Sequence, residues 1–295
     1  MIIVQLTGGL GNQLFQYAFG KALINDSNQE LLLDISSFSW DSLRDYALSP
    51  FSITSTIAED KQLDFIKNQK EFRMKDRLFS YLNKKPLPYY LSSNIKEPDF
   101  NFDPNFHKYR KENVSFEGYW QSEKYFKSVR KQLLREISLD EVKFSTTMLS
   151  YLSKINEQNS VSIHIRRGDF LSNLETNAFH GVCDIEYYHK SIIYLKEKLN
   201  NLSFYIFSDD LNFVKEQFSQ LDNCTFIEGL SHESEDLILM SRCKHHIIAN
   251  SSFSWWGAWL NQYDEKTVIA PKIWFHNSLI QEKTMDLVPE NWIRI

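Results

Sequence analysis

The densest cluster of reactive side chains is the run His164, Ile165, Arg166, Arg167, Gly168, Asp169. The apolar, β-branched residues before it predict a strand over 161–166, so the cluster sits at a strand's carboxyl end, where open parallel sheets bind their ligands. Side chains alternate along a strand, so His164 and Arg166 share one face while Ile165 turns into packing on the other. Two fixed guanidinium groups at a strand mouth read as a clamp for a phosphate or diphosphate. The alternative is a strand end whose arginines simply pair with Asp169 and nearby acids. A His, a Gly and an Asp compressed at the same mouth favour the anion site.

Two further loops could complete such a site. Gly8, Gly9, Leu10, Gly11, Asn12 and Gln13 follow the first predicted strand and open a helix. Glycines there let backbone N–H groups approach a ligand, and a helix N-terminus favours negative charge. The spacing is neither the dinucleotide fingerprint nor a Walker A loop. Alone, the loop reads equally as a ligand loop or as a tight strand-to-helix turn. Asn250, Ser251, Ser252, Phe253 and Ser254 form a second strand-to-helix junction, whose hydroxyls either cap the helix or cradle a phosphate. The adjacent Trp255 and Trp256 cannot both face one side of a helix, so at least one belongs to the core.

Acidic groups give weaker signals. Ser208-Asp209-Asp210 stands at another strand end and could hold a metal, a ribose or a base, or cap the next helix. No D-x-D occurs in the chain. Asp184-Ile185-Glu186 starts a helix, where capping is the simpler role. His245 and His246 fall on a predicted strand, so their rings point to opposite faces and make a poor metal pair. No Gly-x-Ser-x-Gly elbow is present for acyl transfer.

The elements that must position these groups alternate strand and helix. Residues 2–6, 13–24 and 30–35 read as a βαβ unit. Residues 38–151 are less regular: 67–85 form a basic amphipathic stretch, 87–106 a proline-containing loop, and 122–137 a helix. From residue 161 the alternation is regular. Strands are predicted at 161–166, 204–207, 224–227, 246–249 and 267–269, with helices at 184–199, 211–218, 234–243 and 254–260. The reading is α/β, with one domain over 1–155 and a second over 156–295. The tail from Trp274 could pack on either.

Composition sets the outer bounds. At ~100–200 residues per domain, a 295-residue chain suggests about two domains. Apolar residues at 42% and charged residues at 24% are ordinary for a globular protein, which excludes general disorder. A net charge of −5 offers no global basic field for nucleic acid. Three cysteines without a C-x-x-C suit a reducing compartment rather than a disulfide framework. The first residues show no secretory leader, and no run reaches the ~18 apolar residues of a membrane span. Aromatic residues reach 15%; sugar sites use aromatic faces, but most such rings are core.

Taken together, GGLGNQLFQYAFGKAL from Gly8, GYWQSEKYF from Gly118, HIRRGDF from His164, HGVC from His180, FSDD from Phe207 and DLILMSRCKHHIIANSSFSWWGAWL from Asp236 resemble the bacterial α-1,2-fucosyltransferases of glycosyltransferase family 11. The segments span nearly the whole chain in the family's order. Residues 67–106 carry no part of the resemblance.

The resemblance implies two Rossmann-like domains facing a cleft, the GT-B type, with 1–155 on the acceptor side and 156–295 on the GDP-fucose donor side. It implies transfer of fucose, with inversion, from GDP-β-L-fucose to the 2-hydroxyl of a terminal β-galactoside in O-antigen or surface-polysaccharide synthesis. It implies no metal and no cofactor, and the absent D-x-D agrees. Arg166 and Arg167 are then expected to stabilise the leaving diphosphate, with Arg166 nearest its β-phosphate. His164 is expected at the diphosphate or the fucose, and Asp169 as an orienting group for the arginines. Gly9, Gly11, Asn12, Asp209, Asn250, Ser251, Ser252, Phe253 and Ser254 complete the expected donor site. Gln13, Tyr119, Trp120, Gln121 and His180 are expected on the acceptor side. Asp169, Glu175 and His180 are the candidate general bases.

A transferase acting on another hydroxyl and a nucleotide-sugar or glycan-binding module without turnover are the competing readings. A dinucleotide oxidoreductase is disfavoured by the glycine spacing. Seven cations against two acids in residues 67–85 allow peripheral contact with anionic lipid at the cytoplasmic face of the membrane, as a lipid-linked acceptor would require; a solvated helix face explains them equally.

Overall fold

Short strands, fully buried at the sheet centres and more exposed at the edges, build two separate parallel sheets. The computed structural model describes residues 1–67, 78–79, 81–82, 88–168 and 181–295. They divide into two units, Met1–Ile137 and Ser138–Ile295. This division precedes the 155/156 boundary expected from the sequence. Helix Thr146–Glu157 belongs to the second unit, where its Tyr151 hydroxyl accepts the Glu228 backbone N–H at 3.3 Å.

In the first unit, β1 (Ile2–Gln5) lies between β2 (Leu31–Asp34) and β5 (Val114–Glu117) and pairs in parallel with both, Ile2 standing opposite Leu31 and Val114. β3 (Thr56–Ile57) flanks β2, and β4 (Asn94–Lys96) flanks β5, giving the order β3-β2-β1-β5-β4. The chain thus steps outward from β1 to β3 and then returns to the other side, so the strand order reverses between β1 and β5. Helix Leu10–Ile24 follows β1 and is buried nearly all round. One side faces the sheet. There Phe19 meets Phe116 of β5 edge-on at 5.2 Å, stacks on Trp120 at 4.0 Å and 4°, and meets Tyr125 edge-on at 5.4 Å. Much of the aromatic content is therefore core packing.

The irregular middle of the sequence contains β3, β4 and β5. The helix expected over 122–137 is instead two short 3-10 turns followed by helix Arg130–Glu136. Most of the basic stretch 67–85 lies outside the described residues. No helix among the described residues is long and apolar enough to cross a membrane.

The second unit is a six-stranded parallel sheet in the order β11-β10-β9-β6-β7-β8. Its strands are β6 (Asn159–Ile165), β7 (Leu202–Ser208), β8 (Cys224–Phe226), β9 (His245–Ile247), β10 (Val268–Ala270) and β11 (Ile293–Arg294). The chain winds from β6 through β7 to β8, then returns to lay β9, β10 and β11 on the opposite side. This is the doubly wound Rossmann order, with its reversal between β6 and β9. Val161, Ile163 and Ile165 enter the core with Tyr188, Ile192 and Leu195 of helix Ile185–Lys198. The C-terminal tail packs on this unit, since Ile293 pairs with Ile269.

The first unit is tied together by a buried ionic network. Glu136 pairs with Lys21 at 3.1 Å, the two side chains being only 8% and 6% exposed, and accepts from the Tyr17 and Thr54 hydroxyls at 2.5 and 2.8 Å. Removing one member leaves the others buried and charged or unsatisfied. Glu136→Ala is expected to lower the unfolding free energy by about 3–5 kcal/mol in denaturant titration; a loss below about 1 kcal/mol, the value of an exposed pair, would contradict this role.

Candidate functional site

At the carboxyl end of β6 the period-two alternation holds. Ile163 and Ile165 enter the core, while His164 lies on the opposite face, its ring 5.5 Å from that of Phe253. Phe253 stands in the first turn of helix Ser252–Leu260, which follows β9. The two sequence clusters therefore meet at the strand-order reversal of the second sheet. Ligands of doubly wound sheets bind in that place, because the loops from adjacent strands diverge to opposite faces and leave a crevice.

The arginines are held from β7. Asp209, just beyond that strand, accepts from Arg166 Nη1 at 2.9 Å through one oxygen and from the Arg167 backbone N–H at 2.9 Å through the other. Arg167 donates from Nε to Asp210 at 3.3 Å, and its guanidinium lies 3.4 Å above the centre of the Phe213 ring. Asp210 also caps helix Leu211–Gln217 by accepting the Phe213 N–H at 3.1 Å. Among the described residues the arginines pair with Asp209 and Asp210, and Asp209 orients both. Asp169, Glu175 and His180 lie outside the described residues. Arg166 remains about a quarter exposed, at 25%.

His164 is buried, and its Nδ1 has no hydrogen-bond partner among the described residues. Burial first, and then the Arg166 charge, push its pKa down to about 3, with Asp209 pulling the other way. The imidazole is therefore neutral at physiological pH. It can offer a hydrogen bond, not a positive charge.

The Asn250–Ser254 junction is chiefly a scaffold. Asn250 donates to the carbonyls of Gly181 and Trp274, both at 3.1 Å, and accepts from the Cys183 thiol at 3.3 Å. Ser251 caps the helix by accepting the Phe253 N–H at 3.3 Å, and the buried Ser254 hydroxyl points back to the Ala249 and Ser251 carbonyls. Ser252 and Phe253 are half-buried, and the Phe253 ring lies beside that of His164. Trp255 and Trp256 are both fully buried.

In the first unit the glycine loop also stands at a reversal. Gly9 occupies the N-cap position of helix Leu10–Ile24, preceded by Gly8 in the left-handed region at φ 75°. Gly11 is buried within the first turn. Asn12 accepts from Gln121 Nε2 at 2.8 Å, joining this loop to the segment after β5. The Arg44 guanidinium stands 3.8 Å from where a Cβ on Gly9 would lie. Two expected acceptor contacts are corrected. Gln13 is fully buried, donating to the Gly8 and Asp45 carbonyls and accepting the Ala47 N–H, so it bolts the 45–47 loop in place. Trp120 is fully buried against Phe19. Tyr119, by contrast, is 37% exposed. Glu97, described below, carried no signal in the sequence, because a single charged residue in a polar loop has no periodicity to mark it.

His245 and His246 are structural. His246 bonds Ser162 and Asn261, at 2.8 and 2.6 Å, and His245 accepts the Thr267 N–H at 3.0 Å. Among the described residues no three His, Cys, Asp or Glu side chains converge as a metal's ligand set.

The chain comprises two parallel α/β units, one of which carries an arginine pair at its sheet reversal. The chain belongs to glycosyl transferase family 11, whose model matches residues 1–295. It is 40% identical over 301 residues to an alpha-1,2-colitosyltransferase of Escherichia coli, covering 100% of this chain and 99% of that one. It is 32% identical over 309 residues to the O-antigen biosynthesis glycosyltransferase WbnK of Escherichia coli, covering 98% and 99%. The galactoside 2-alpha-L-fucosyltransferase Sec1 of Mus musculus is 24% identical, over 90% of this chain and 65% of its own length.

The neutral His164 has a thermodynamic consequence. The unfolded imidazole takes a proton below about pH 6.5, whereas the folded one resists until about pH 3. Stability from this group is complete above the first value and declines as the pH falls toward the second. Between pH 7 and 5 the wild-type protein should lose about 2 kcal/mol more than His164→Asn. Parallel losses in unfolding titrations of the two proteins would contradict a neutral His164.

Proposed function

We propose that this protein transfers L-fucose from GDP-β-L-fucose to the 2-hydroxyl of a terminal β-galactoside, with inversion, in the assembly of an O-antigen or similar surface polysaccharide. The observation that carries the reading is the Asp209-held arginine pair beside neutral His164 at the β6/β9 reversal. Membership of a glycosyltransferase family supports turnover over a module that only binds.

The acceptor oxygen attacks the anomeric carbon as the bond from that carbon to the β-phosphate oxygen breaks. Positive charge develops on the sugar and negative charge on the departing GDP. Arg166 and Arg167 face that negative charge from positions set before the reaction, so little reorganisation accompanies bond cleavage. The N-terminus of helix Ser252–Leu260 adds its dipole on the same side. His164 gives a hydrogen bond to the diphosphate or the sugar. The acceptor proton passes to Asp169, Glu175 or His180, or to the departing phosphate itself. No metal is required in this scheme, because guanidinium groups absorb the charge.

A second reading is favoured by the 40% identity to the colitosyltransferase: the same reaction with GDP-colitose, whose sugar is L-fucose lacking the 3-hydroxyl. A site built to hydrogen-bond that hydroxyl discriminates by about 10⁴–10⁵, whereas an apolar pocket discriminates far less. Assays of both donors against a panel of β-galactosides, with product linkage analysis, separate the two readings and identify the hydroxyl.

Arg166→Ala is expected to reduce kcat by about 10²–10³ with either donor and to weaken GDP binding. Activity above about one tenth of wild type would overturn the clamp. A variant that loses affinity while wild type shows no turnover would identify a binding protein instead. Activity should survive EDTA; loss restored by Mn²⁺ would reject the metal-free scheme.

A further inference from the structure

Glu97 lies in a stretch that carries none of the family resemblance, yet the structure places it at the carboxyl edge of the first sheet. It follows β4 directly, and its N–H donates to the Glu117 carbonyl at 2.8 Å, extending the β4–β5 ladder by one residue. Its side chain then folds over the bend after β5. One carboxylate oxygen accepts the Tyr119 N–H at 2.7 Å and the other accepts the Trp120 N–H at 3.0 Å. Gly118 is required there, since a Cβ at that position would lie 2.4 Å from Glu97 Cβ and 2.9 Å from its Oε2.

The bend so held is unusual. Trp120 adopts φ 56°, the left-handed region that a bulky residue rarely enters. That conformation turns the Trp120 ring inward onto Phe19. It leaves Tyr119 exposed on the other side, its ring parallel to Phe100 at 6.4 Å and 10°. It also aims Gln121 at Asn12 in the glycine loop, at 2.8 Å. Gln16 fixes the near end by donating to the Gly118 carbonyl at 3.0 Å while accepting the Thr7 N–H at 3.0 Å. One carboxylate thus governs which side chain of the segment turns inward and which turns outward.

Desolvation pushes the Glu97 pKa up to about 7 against the pull of the two amide bonds, with Asp99 adding to the rise. Burying a carboxylate is an expensive way to hold a loop. The bend lies at the carboxyl edge of a parallel sheet, beside the β1/β5 reversal, where bound groups are expected. At such an edge the exposed Tyr119 ring, backed by the parallel ring of half-buried Phe100, suits the C–H face of a pyranose.

We propose that Glu97 is a positioning residue of an acceptor-binding face on the first unit, holding the Tyr119–Trp120 backbone so that Tyr119, backed by Phe100, presents a stacking face to the acceptor sugar. The inference rests on the acceptor reading of the first unit given above. Glu97→Gln keeps one acceptor oxygen and turns an N–H₂ group toward the second amide, so the bend loosens while the side chain keeps its size.

Steady-state kinetics of Glu97→Gln, Tyr119→Ala and the double variant, with GDP-fucose and a β-galactoside, test this. Each single variant should raise the acceptor KM about tenfold, the scale of one aromatic contact, with the donor KM and GDP affinity unchanged. The double variant should be no worse than Tyr119→Ala, because both act through one contact. An unchanged acceptor KM in Glu97→Gln, equal losses in donor affinity, or additive effects in the double variant would overturn the inference. Wild-type protein that turns over no β-galactoside would overturn the acceptor reading itself, which is a distinguishable result.

Discussion

Asp209 is the pivot of the candidate donor site. One carboxylate holds the side chain of Arg166 and the backbone of Arg167, and so converts two long, flexible cations into fixed ones. At about a quarter exposure the Arg166–Asp209 pair contributes little to folding stability. Its effect is geometric. A guanidinium already oriented by a carboxylate loses less freedom when it meets a second anion, and the planar fork can serve two acceptors together. Asp209 and Asp210 together balance the two guanidinium charges, so two adjacent cations at a strand end do not repel the fold apart.

The sheets explain why these groups meet. Each unit places its glycine- or arginine-bearing loop at the one point where the strand order reverses. In the second unit, β6 supplies His164 and the arginines, β7 supplies Asp209 and Asp210, and β9 leads to the helix that carries Phe253. In the first unit, β1 leads to the glycine loop, β5 to Tyr119 and Gln121, and β4 to Glu97. In both units a carboxylate from the neighbouring strand fixes the working loop: Asp209 in one, Glu97 in the other. One grips side chain and backbone; the other grips two backbone amides.

Much of this was legible in the sequence where the signal is local. The alternation of His164 and Arg166 against Ile163 and Ile165 follows from strand period alone, and the regular strand–helix rhythm after residue 161 identified the parallel sheet. The tertiary part was not legible. Asp209 lies 42 residues from Arg167, so its choice of partner depends on β6 and β7 being neighbours. β5, VSFE, mixes polar with apolar residues and shows no continuous apolar run, although it lies inside its sheet between β1 and β4. Gln13 and Trp120 are residue types common in sugar sites, but burial decides their use, and both are consumed by packing. The domain division moved to Ile137/Ser138 because helix Thr146–Glu157 packs with the elements that follow it rather than those before it.

The direct measurement is a crystal structure of the protein bound to GDP. The account predicts the pyrophosphate at the carboxyl ends of β6 and β9, its β-phosphate within hydrogen-bonding distance of the Arg166 guanidinium while Asp209 keeps its grip on the same side chain. A pyrophosphate bound out of reach of both Arg166 and Arg167 would contradict it.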